Sequence, residues 1–99
     1  MKVTASLPPV LVEVQNTIDL KFVQRITENS LVVNKEHGAL PIVVVFGIQP
    51  SKSNVANDLV QSYQVPLAKE YPCKPWTKSC YIVDPTTINS LFKNNHLNH

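Results

Sequence analysis

Residues 10–15 read Val-Leu-Val-Glu-Val-Gln, and this short stretch decides how the first half of the chain is interpreted. Its β-branched residues predict a strand. Because successive side chains of a strand point to opposite faces, the three valines are expected to share one face. Glu13 and Gln15 then lie together on the other face, in a strand whose remaining residues are expected to be buried.

The next segment, residues 19–37, changes to a helical period. Its apolar residues fall on one stripe of a helix of about five turns: Phe22, Val23, Ile26 and Val33. Thr17 or Asp19 is expected to cap the start of this helix. Gly38 follows two basic residues, a pattern typical of a helix C-terminus.

Residues 41–48 read Pro-Ile-Val-Val-Val-Phe-Gly-Ile and show no alternation of apolar and polar side chains. Such a run is typical of a strand that is buried on both faces and runs parallel to its neighbour. Strand, helix and strand in this order predict a βαβ unit with a right-handed crossover. The fold class expected is therefore α/β, with residues 9–48 as a strand–helix–strand core.

The second half of the chain gives weaker patterns. A spacing of four predicts a second, shorter helix through Val55, Leu59 and Tyr63. The prolines in residues 64–79 predict an ordered loop. Residues 80–83 predict a short strand. Thr86 or Thr87 is expected to cap a last helix, and residues 94–99 are expected to form a flexible tail. Residues 1–99 are thus interpreted as a single domain.

Composition excludes some classes of protein and favours others. Charged residues make up 16% of the 99 residues, and a net charge of +2 is too weak to indicate nucleic-acid binding by itself. Pro8 and Pro9 interrupt the apolar start, so no secretory signal is predicted. No apolar run approaches the roughly 20 residues that span a bilayer. We expect an intracellular protein, cytoplasmic or nuclear, with no membrane association and with Cys73 and Cys80 as thiols.

Glu13 is the residue most suggestive of chemistry. A carboxylate within a sheet is costly unless it is paired or binds a metal. A Mg²⁺ site combines few carboxylates with waters and phosphate oxygens. Glu13 and the backbone carbonyl of Val14 would supply ligands, and Gln15 would orient a water or a phosphate. The same residues also fit ordinary polar positions on a half-exposed strand.

These residues resemble a known family. The sequence from Val12 to Gln15, followed by Asp19, Phe22 and Arg25 and then by the run from Leu40 to Val45, resembles the PD-(D/E)XK nucleases. The resemblance is to the branch of recombination-promoting nucleases and transposase-associated proteins, which has Glu-X-Gln where most members have Glu-X-Lys. It covers residues 9–48, and the strand–helix–strand order supports it more than the short motif does.

The resemblance implies divalent-metal-dependent cleavage of DNA. It implies that Glu13 is the catalytic carboxylate and binds Mg²⁺ or Mn²⁺, and that Gln15 stands where most members have the catalytic lysine. Arg25, in the following helix, would face a phosphate of bound DNA. Arg25 and Glu28 also fit a solvated helix face, which is the simpler interpretation of that helix.

The chain departs from the family in one important respect. The family needs a second acidic ligand, usually an Asp on the preceding strand, and residues 1–12 contain no Asp or Glu. We therefore expect a partial restriction-endonuclease-like domain with C-terminal helices, incomplete or inactive by itself, so whether it is an enzyme stays open. The sheet should have a bare edge that recruits a second copy or another chain. The alternative is a non-catalytic α/β module that mediates protein–protein interaction.

Overall fold

A five-stranded mixed sheet and one long helix dominate the computed structural model, which describes residues 7–72 and 77–90. The strands are β1 (Val10–Gln15), β2 (Ile42–Gly47), β3 (Val60–Gln61), β4 (Lys69–Glu70) and β5 (Ser79–Val83). The helices are α1 (Leu20–His37), the single turn α2 (Ser53–Ala56) and α3, described over residues 85–90. The α/β class expected from the sequence is confirmed.

The strands lie in the order β1-β2-β5-β4-β3. β1 runs parallel to β2, and β2 runs parallel to β5, whereas β4 and β3 continue the sheet in antiparallel fashion. The predicted strands at residues 10–15 and 80–83 are both confirmed. The second of them is a central strand of the sheet, because β5 lies between β2 and β4.

The predicted long helix is confirmed as α1, and its ends show why it begins and stops where it does. The side chain of Asp19 accepts a hydrogen bond of 2.9 Å from the backbone N–H of Phe22, so Asp19 is the cap rather than Thr17. Gly38 ends the helix in the left-handed conformation (φ 69°), which only glycine adopts without strain. Its N–H donates to the carbonyl of Asn34 over 2.8 Å.

The hydrophobic core lies between α1 and one face of the sheet. Its buried members come from α1, the loop before it, α2, β2 and β5: Ile18, Phe22, Ile26, Val43, Val45, Val55, Cys80 and Ile82. Residues of β1 and β2 at partner positions share a face, and Leu11 packs against this core from β1. The core is thus one layer of side chains between a helix and a sheet.

The expectation that β2 is buried on both faces is wrong. Val43 and Val45 are buried under α1, but Phe46, on the opposite face, is 43% exposed. The expectation of buried valines on β1 is wrong for the same reason, since Val12 is 56% exposed. Within the described residues, no helix covers the part of that face formed by these strands, so their apolar side chains contact solvent.

The second half departs further from the prediction. The helix expected through Val55, Leu59 and Tyr63 is only the single turn α2, and Tyr63 is 93% exposed. Asn57 and Asp58 follow that turn, and such side chains compete with helical hydrogen bonds of the backbone. β3 and β4 then pair within a region where the sequence predicts no strand.

The remaining expectations concern the end of the chain and membrane association. Residues 85–90 are helical, as predicted, but the cap is Asp84 and not Thr86 or Thr87. Cys73 and the tail of residues 94–99 lie outside the described residues. Across residues 7–72 and 77–90, no helix combines the length and apolar character needed to cross a membrane.

Candidate functional site

The polar pair of β1 lies on the side of the sheet that α1 covers. In the parallel register, Glu13 is the partner of Val45 and Gln15 is the partner of Gly47. Because Val45 is buried in the core under α1, Glu13 and Gln15 face the same side. Both side chains are half-buried, since β1 is the outermost strand and α1 does not close over it. The predicted alternation of β1 is therefore confirmed.

Arg25 reaches this strand from α1. Its Nη2 donates a hydrogen bond to Oε1 of Gln15 over 3.3 Å. Its guanidinium also lies 5.1 Å from the centre of the Phe22 ring, a distance typical of a cation–π contact. Two of the three residues singled out in the sequence are thus in direct contact, at an exposed position.

Glu13, Gln15 and Arg25 together form a surface that can bind an anion through Gln15 and Arg25, with the carboxylate of Glu13 beside it. With its oxygen bonded to Arg25, Gln15 has its amide hydrogens directed toward other acceptors. An arginine presents further N–H donors in a planar fork that matches phosphate oxygens. Glu13 adds a negative charge on the same face of β1 and so restricts how closely an anion approaches from that side.

The residues described here do not form a metal site by themselves. In residues 7–72 and 77–90, no group of three or more His, Cys, Asp or Glu side chains is placed to hold a metal ion. One carboxylate is too few for a firm Mg²⁺ or Mn²⁺ site, which takes several oxygen ligands. Glu13 therefore needs ligands from elsewhere before it can serve a metal.

Asp84 is a buried acidic residue for which the sequence predicted no role. It is 1% exposed and follows β5 directly. Its Oδ1 accepts hydrogen bonds from Thr86 N–H (2.9 Å), Thr86 hydroxyl and Thr87 N–H (3.0 Å). Its Oδ2 accepts from the backbone N–H (3.0 Å) and the hydroxyl of Ser51. Burial opposes ionisation, but these donors outweigh it and hold the pKa of Asp84 below its usual value.

This network is structural rather than a binding site. Asp84 caps α3, and Thr87 completes a reciprocal cap because its hydroxyl oxygen accepts from the Asp84 N–H over 3.0 Å. A carboxylate has about four lone-pair positions, and five donors already use them. Asp84 is therefore not a ligand for an additional ion.

The signal for Asp84 was present in the sequence. Residues 83–87 read Val-Asp-Pro-Thr-Thr after a short apolar strand. Asp is a preferred cap, Pro85 suits the first helical position, and a hydroxyl residue at the third position can bond back to the cap. The contact with Ser51 had no signal, because 33 residues separate it from Asp84.

The loops at this end of the sheet are tied to each other. Ile48 N–H donates to the Gln15 carbonyl over 3.0 Å, and Lys52 N–H donates to the Ile18 carbonyl over 2.9 Å. With Ser51 bonded to Asp84, the segments that follow β1, β2 and β5 form one connected end. The backbone of Gln15 is therefore held in place by hydrogen bonds, while its side chain stays partly exposed to solvent.

No model of a protein family, no curated protein and no solved structure matches this chain. The resemblance to PD-(D/E)XK nucleases thus stays a hypothesis. What bears on function is the arrangement of Glu13, Gln15 and Arg25 at the outer strand of the sheet.

Proposed function

We propose that this chain is a nuclease-like domain that resembles the metal-dependent DNA endonucleases of mobile elements, and that it is incomplete as a catalyst. The observation that carries the proposal is the contact between Arg25 and Gln15, on the face of β1 that also holds Glu13. A carboxylate, an amide and a guanidinium are thereby collected beside one exposed strand. DNA as a ligand suits an intracellular location, either cytoplasmic or nuclear.

Each of the three side chains would contribute to binding DNA or the metal ion. Arg25 and the amide hydrogens of Gln15 would hold a phosphate by hydrogen bonds, which positions DNA without reading its sequence. The half-buried Glu13 would be one of the acidic ligands that a nuclease of this type requires. Parallel pairing of β1 and β2 around α1 supports the likeness to the strand–helix–strand core of that superfamily.

The proposal also explains why the chain should not cleave DNA alone. Within the described residues, Glu13 has no acidic companions that would complete a metal site. β1 is the last strand of the sheet at its end, so a further strand that brings an acidic residue could add to its outer edge. Catalysis would then need a segment from another chain.

Two measurements on the purified, folded chain test this proposal. In titrations with Mn²⁺ in the presence of a short DNA duplex, paramagnetic broadening of backbone NMR signals should centre on residues 13–15. The variant Glu13→Gln should lose this effect. The matched control Glu28→Gln, on the exposed surface of α1, should retain it.

Nicking of supercoiled plasmid with Mg²⁺ or Mn²⁺ supplies the second measurement. We expect no nicking by the chain alone. Nicking that disappears in Glu13→Ala would mean that assembly completes the site, whereas nicking that survives in Glu13→Ala would remove Glu13 from the proposal. Broadening that is spread over all exposed carboxylates, together with no DNA binding at low salt, would contradict the nuclease-like assignment altogether.

One observation favours a second candidate, a non-catalytic module that mediates protein–protein interaction. The sheet face opposite α1 exposes large apolar side chains: Val10 at 61%, Val12 at 56%, Val14 at 66%, Phe46 at 43% and Ile48 at 60%. A contiguous exposed apolar surface of this kind often marks a site of protein–protein interaction. If the chain is such a module, adding DNA and Mn²⁺ should leave the NMR signals of residues 13–25 unchanged.

A further inference from the structure

The outer edge of β1 carries unpaired backbone groups. The N–H of Ile42 donates to the carbonyl of Pro9 over 2.9 Å, and the N–H of Ile48 donates to the carbonyl of Gln15 over 3.0 Å. Alternate residues of a strand in a parallel ladder bond to the same side, so the odd-numbered residues of β1 bond to β2. The N–H and C=O groups of the three valines of β1 therefore point away from β2. No described residue pairs with them.

This edge lacks several of the devices that protect most edge strands, and Glu13 is the one charged residue on it. The strand at the other end of the sheet, β3, is two residues long, whereas β1 has six. β1 contains no Lys and no Pro, and its register with β2 is regular from Val10 to Gln15, with no bulge. A regular edge of six residues with three exposed valines is a template for another strand. The chemistry that satisfies it is an extended backbone.

We infer that the occupant is a second copy of this chain, with two β1 strands paired antiparallel about a two-fold axis at Val12. A two-fold axis perpendicular to the sheet keeps both copies of each side chain on the same face. With Val12 opposite itself, Val10 lies opposite Val14 of the other copy. Each of these pairs is a hydrogen-bonded pair, so every outward N–H and C=O of both strands is satisfied. The valines then face one another across the junction, a favourable pairing of β-branched residues.

The symmetric register centred on Glu13 is less favourable for two reasons. With Glu13 on the axis, the outward groups of Val10 have no partner. Two carboxylates would also face each other at the closely spaced position, where Cα atoms lie about 4.5 Å apart. In the register centred on Val12, Glu13 instead faces Leu11 of the other copy. The register centred on Val12 is thus the one in which every outward N–H and C=O of the valines of both β1 strands has a partner.

The rest of the fold allows this pairing. The buried residues of α1 pack with those of β2 and β5, so the helix lies over these strands rather than over the outer edge. Strands in a sheet are spaced about 4.8 Å apart, which places helices over β2 in the two copies about 14 Å apart. Packed helices lie about 8–10 Å apart, so the two helices do not collide.

Sedimentation of the full chain over a range of concentrations tests the dimer. The wild type should associate to a dimer, and Val12→Pro should raise the dissociation constant at least about tenfold, which corresponds to about 1.4 kcal/mol. Proline at this position removes an outward N–H and no hydrogen bond to β2. If Val12→Pro fails to fold, Val12→Lys replaces it, with Val32→Lys, on the exposed side of α1, as the matched control.

Phe46→Glu separates edge pairing from packing of two sheet faces. Phe46 is exposed on the valine face but lies on β2, away from the edge. Edge pairing predicts that Phe46→Glu still dimerises while Val12→Pro does not. A monomeric wild type at every concentration, or a dimer that survives Val12→Pro and is lost in Phe46→Glu, would overturn the inference.

Cross-linking tests the register. In a Cys73→Ser background, Val12→Cys should be cross-linked between copies by a short bifunctional thiol reagent. Residues that form a hydrogen-bonded antiparallel pair have Cα atoms about 5.5 Å apart, which is too wide at Cβ for an unstrained disulfide but within reach of such a reagent. Val14→Cys should not cross-link to itself, because its partner is residue 10 of the other copy. Efficient cross-linking of Val14→Cys with none in Val12→Cys would exclude the proposed register.

Discussion

The backbone N–H and the hydroxyl of Ser51 both donate to Oδ2 of Asp84, so the loop after β2 is fastened to the end of β5. Oδ1 of the same carboxylate caps α3. One buried side chain therefore connects a loop, a strand and a helix. This gives Asp84 a role in stability at the end of the sheet where Gln15 also lies.

Asp84 should make the stability of the protein depend on acid. Its pKa is lowered in the folded state, while an unfolded aspartate has a pKa of about 3.9. The unfolded state therefore binds more protons between these two values, and the free energy of unfolding should fall as the pH drops below about 4 toward the folded pKa. Above the unfolded value this contribution is constant. Urea unfolding at a series of pH values measures it.

The variant Asp84→Asn is the control for that pH profile. It should unfold with a free energy lower by about 3 kcal/mol at neutral pH, because an amide donor then faces the Ser51 N–H inside the protein. It should also lack the part of the acid dependence that Asp84 supplies. An unchanged acid profile in Asp84→Asn would assign the dependence to other carboxylates.

Replacing Gly47 by a larger residue should lower the stability of the protein. A Cβ at this position would lie 3.0 Å from Cδ1 of Ile18 and 3.3 Å from Cβ of Asp84. Asp84 is held by its hydrogen bonds and Ile18 is fully buried, so Gly47→Ala should lower the free energy of unfolding by about 1–3 kcal/mol. Thermal or urea unfolding measures the loss.

A double variant shows whether this close contact is the cause. Ile18→Val removes the methyl group that the new Cβ would touch. Gly47→Ala combined with Ile18→Val should therefore be less destabilised than the sum of the two single changes. Strict additivity would mean that the loss has another origin, such as the backbone conformation at residue 47.

The first half of the fold was predictable because its signals are local. The alternation of β1, the capping of α1 by Asp19 and the left-handed glycine after it depend on residues close in sequence. β3 is two residues long, and its pairing with β4 depends on contacts that no short window contains. The exposure of Phe46 was missed because an apolar run does not reveal whether both faces are covered.

The candidate site was predictable only in part. The period of β1 places Glu13 and Gln15 on one face, and the structure confirms this. The hydrogen bond from Arg25 to Gln15 depends on how α1 lies on the sheet, which no local pattern determines.

Replacing Ser30 by alanine should stabilise the protein. It lies on the buried side of α1, is 0% exposed, and its hydroxyl finds no hydrogen-bond partner among the described residues. A buried hydroxyl without a partner costs about 1–3 kcal/mol, and alanine is the better helix former. Ser30→Ala should raise the free energy of unfolding by about 1 kcal/mol. The difference in stability between Gln24→Ala and Gln24→Ser, at an exposed position of α1, measures the gain from helix propensity alone. A loss of stability in Ser30→Ala would show that the hydroxyl is bonded.

Arg25 should supply a measurable part of any affinity for DNA. It lies exposed beside β1, held by Gln15 and by the ring of Phe22. If its guanidinium contacts one phosphate, Arg25→Ala should weaken binding to duplex DNA of any sequence. It should also reduce the slope of log affinity against log salt concentration by about 0.9. Fluorescence anisotropy at several salt concentrations measures both quantities.

The control for this prediction is Lys35→Ala. Lys35 is exposed near the C-terminal end of α1, about 15 Å from Arg25 along the helix at 1.5 Å per residue. Both variants remove one positive charge, so a general effect of net charge would lower affinity equally in the two. A larger loss in Arg25→Ala supports a phosphate contact beside β1. Equal losses would mean that DNA is held by the overall charge of the protein and that the contact between Gln15 and Arg25 is structural.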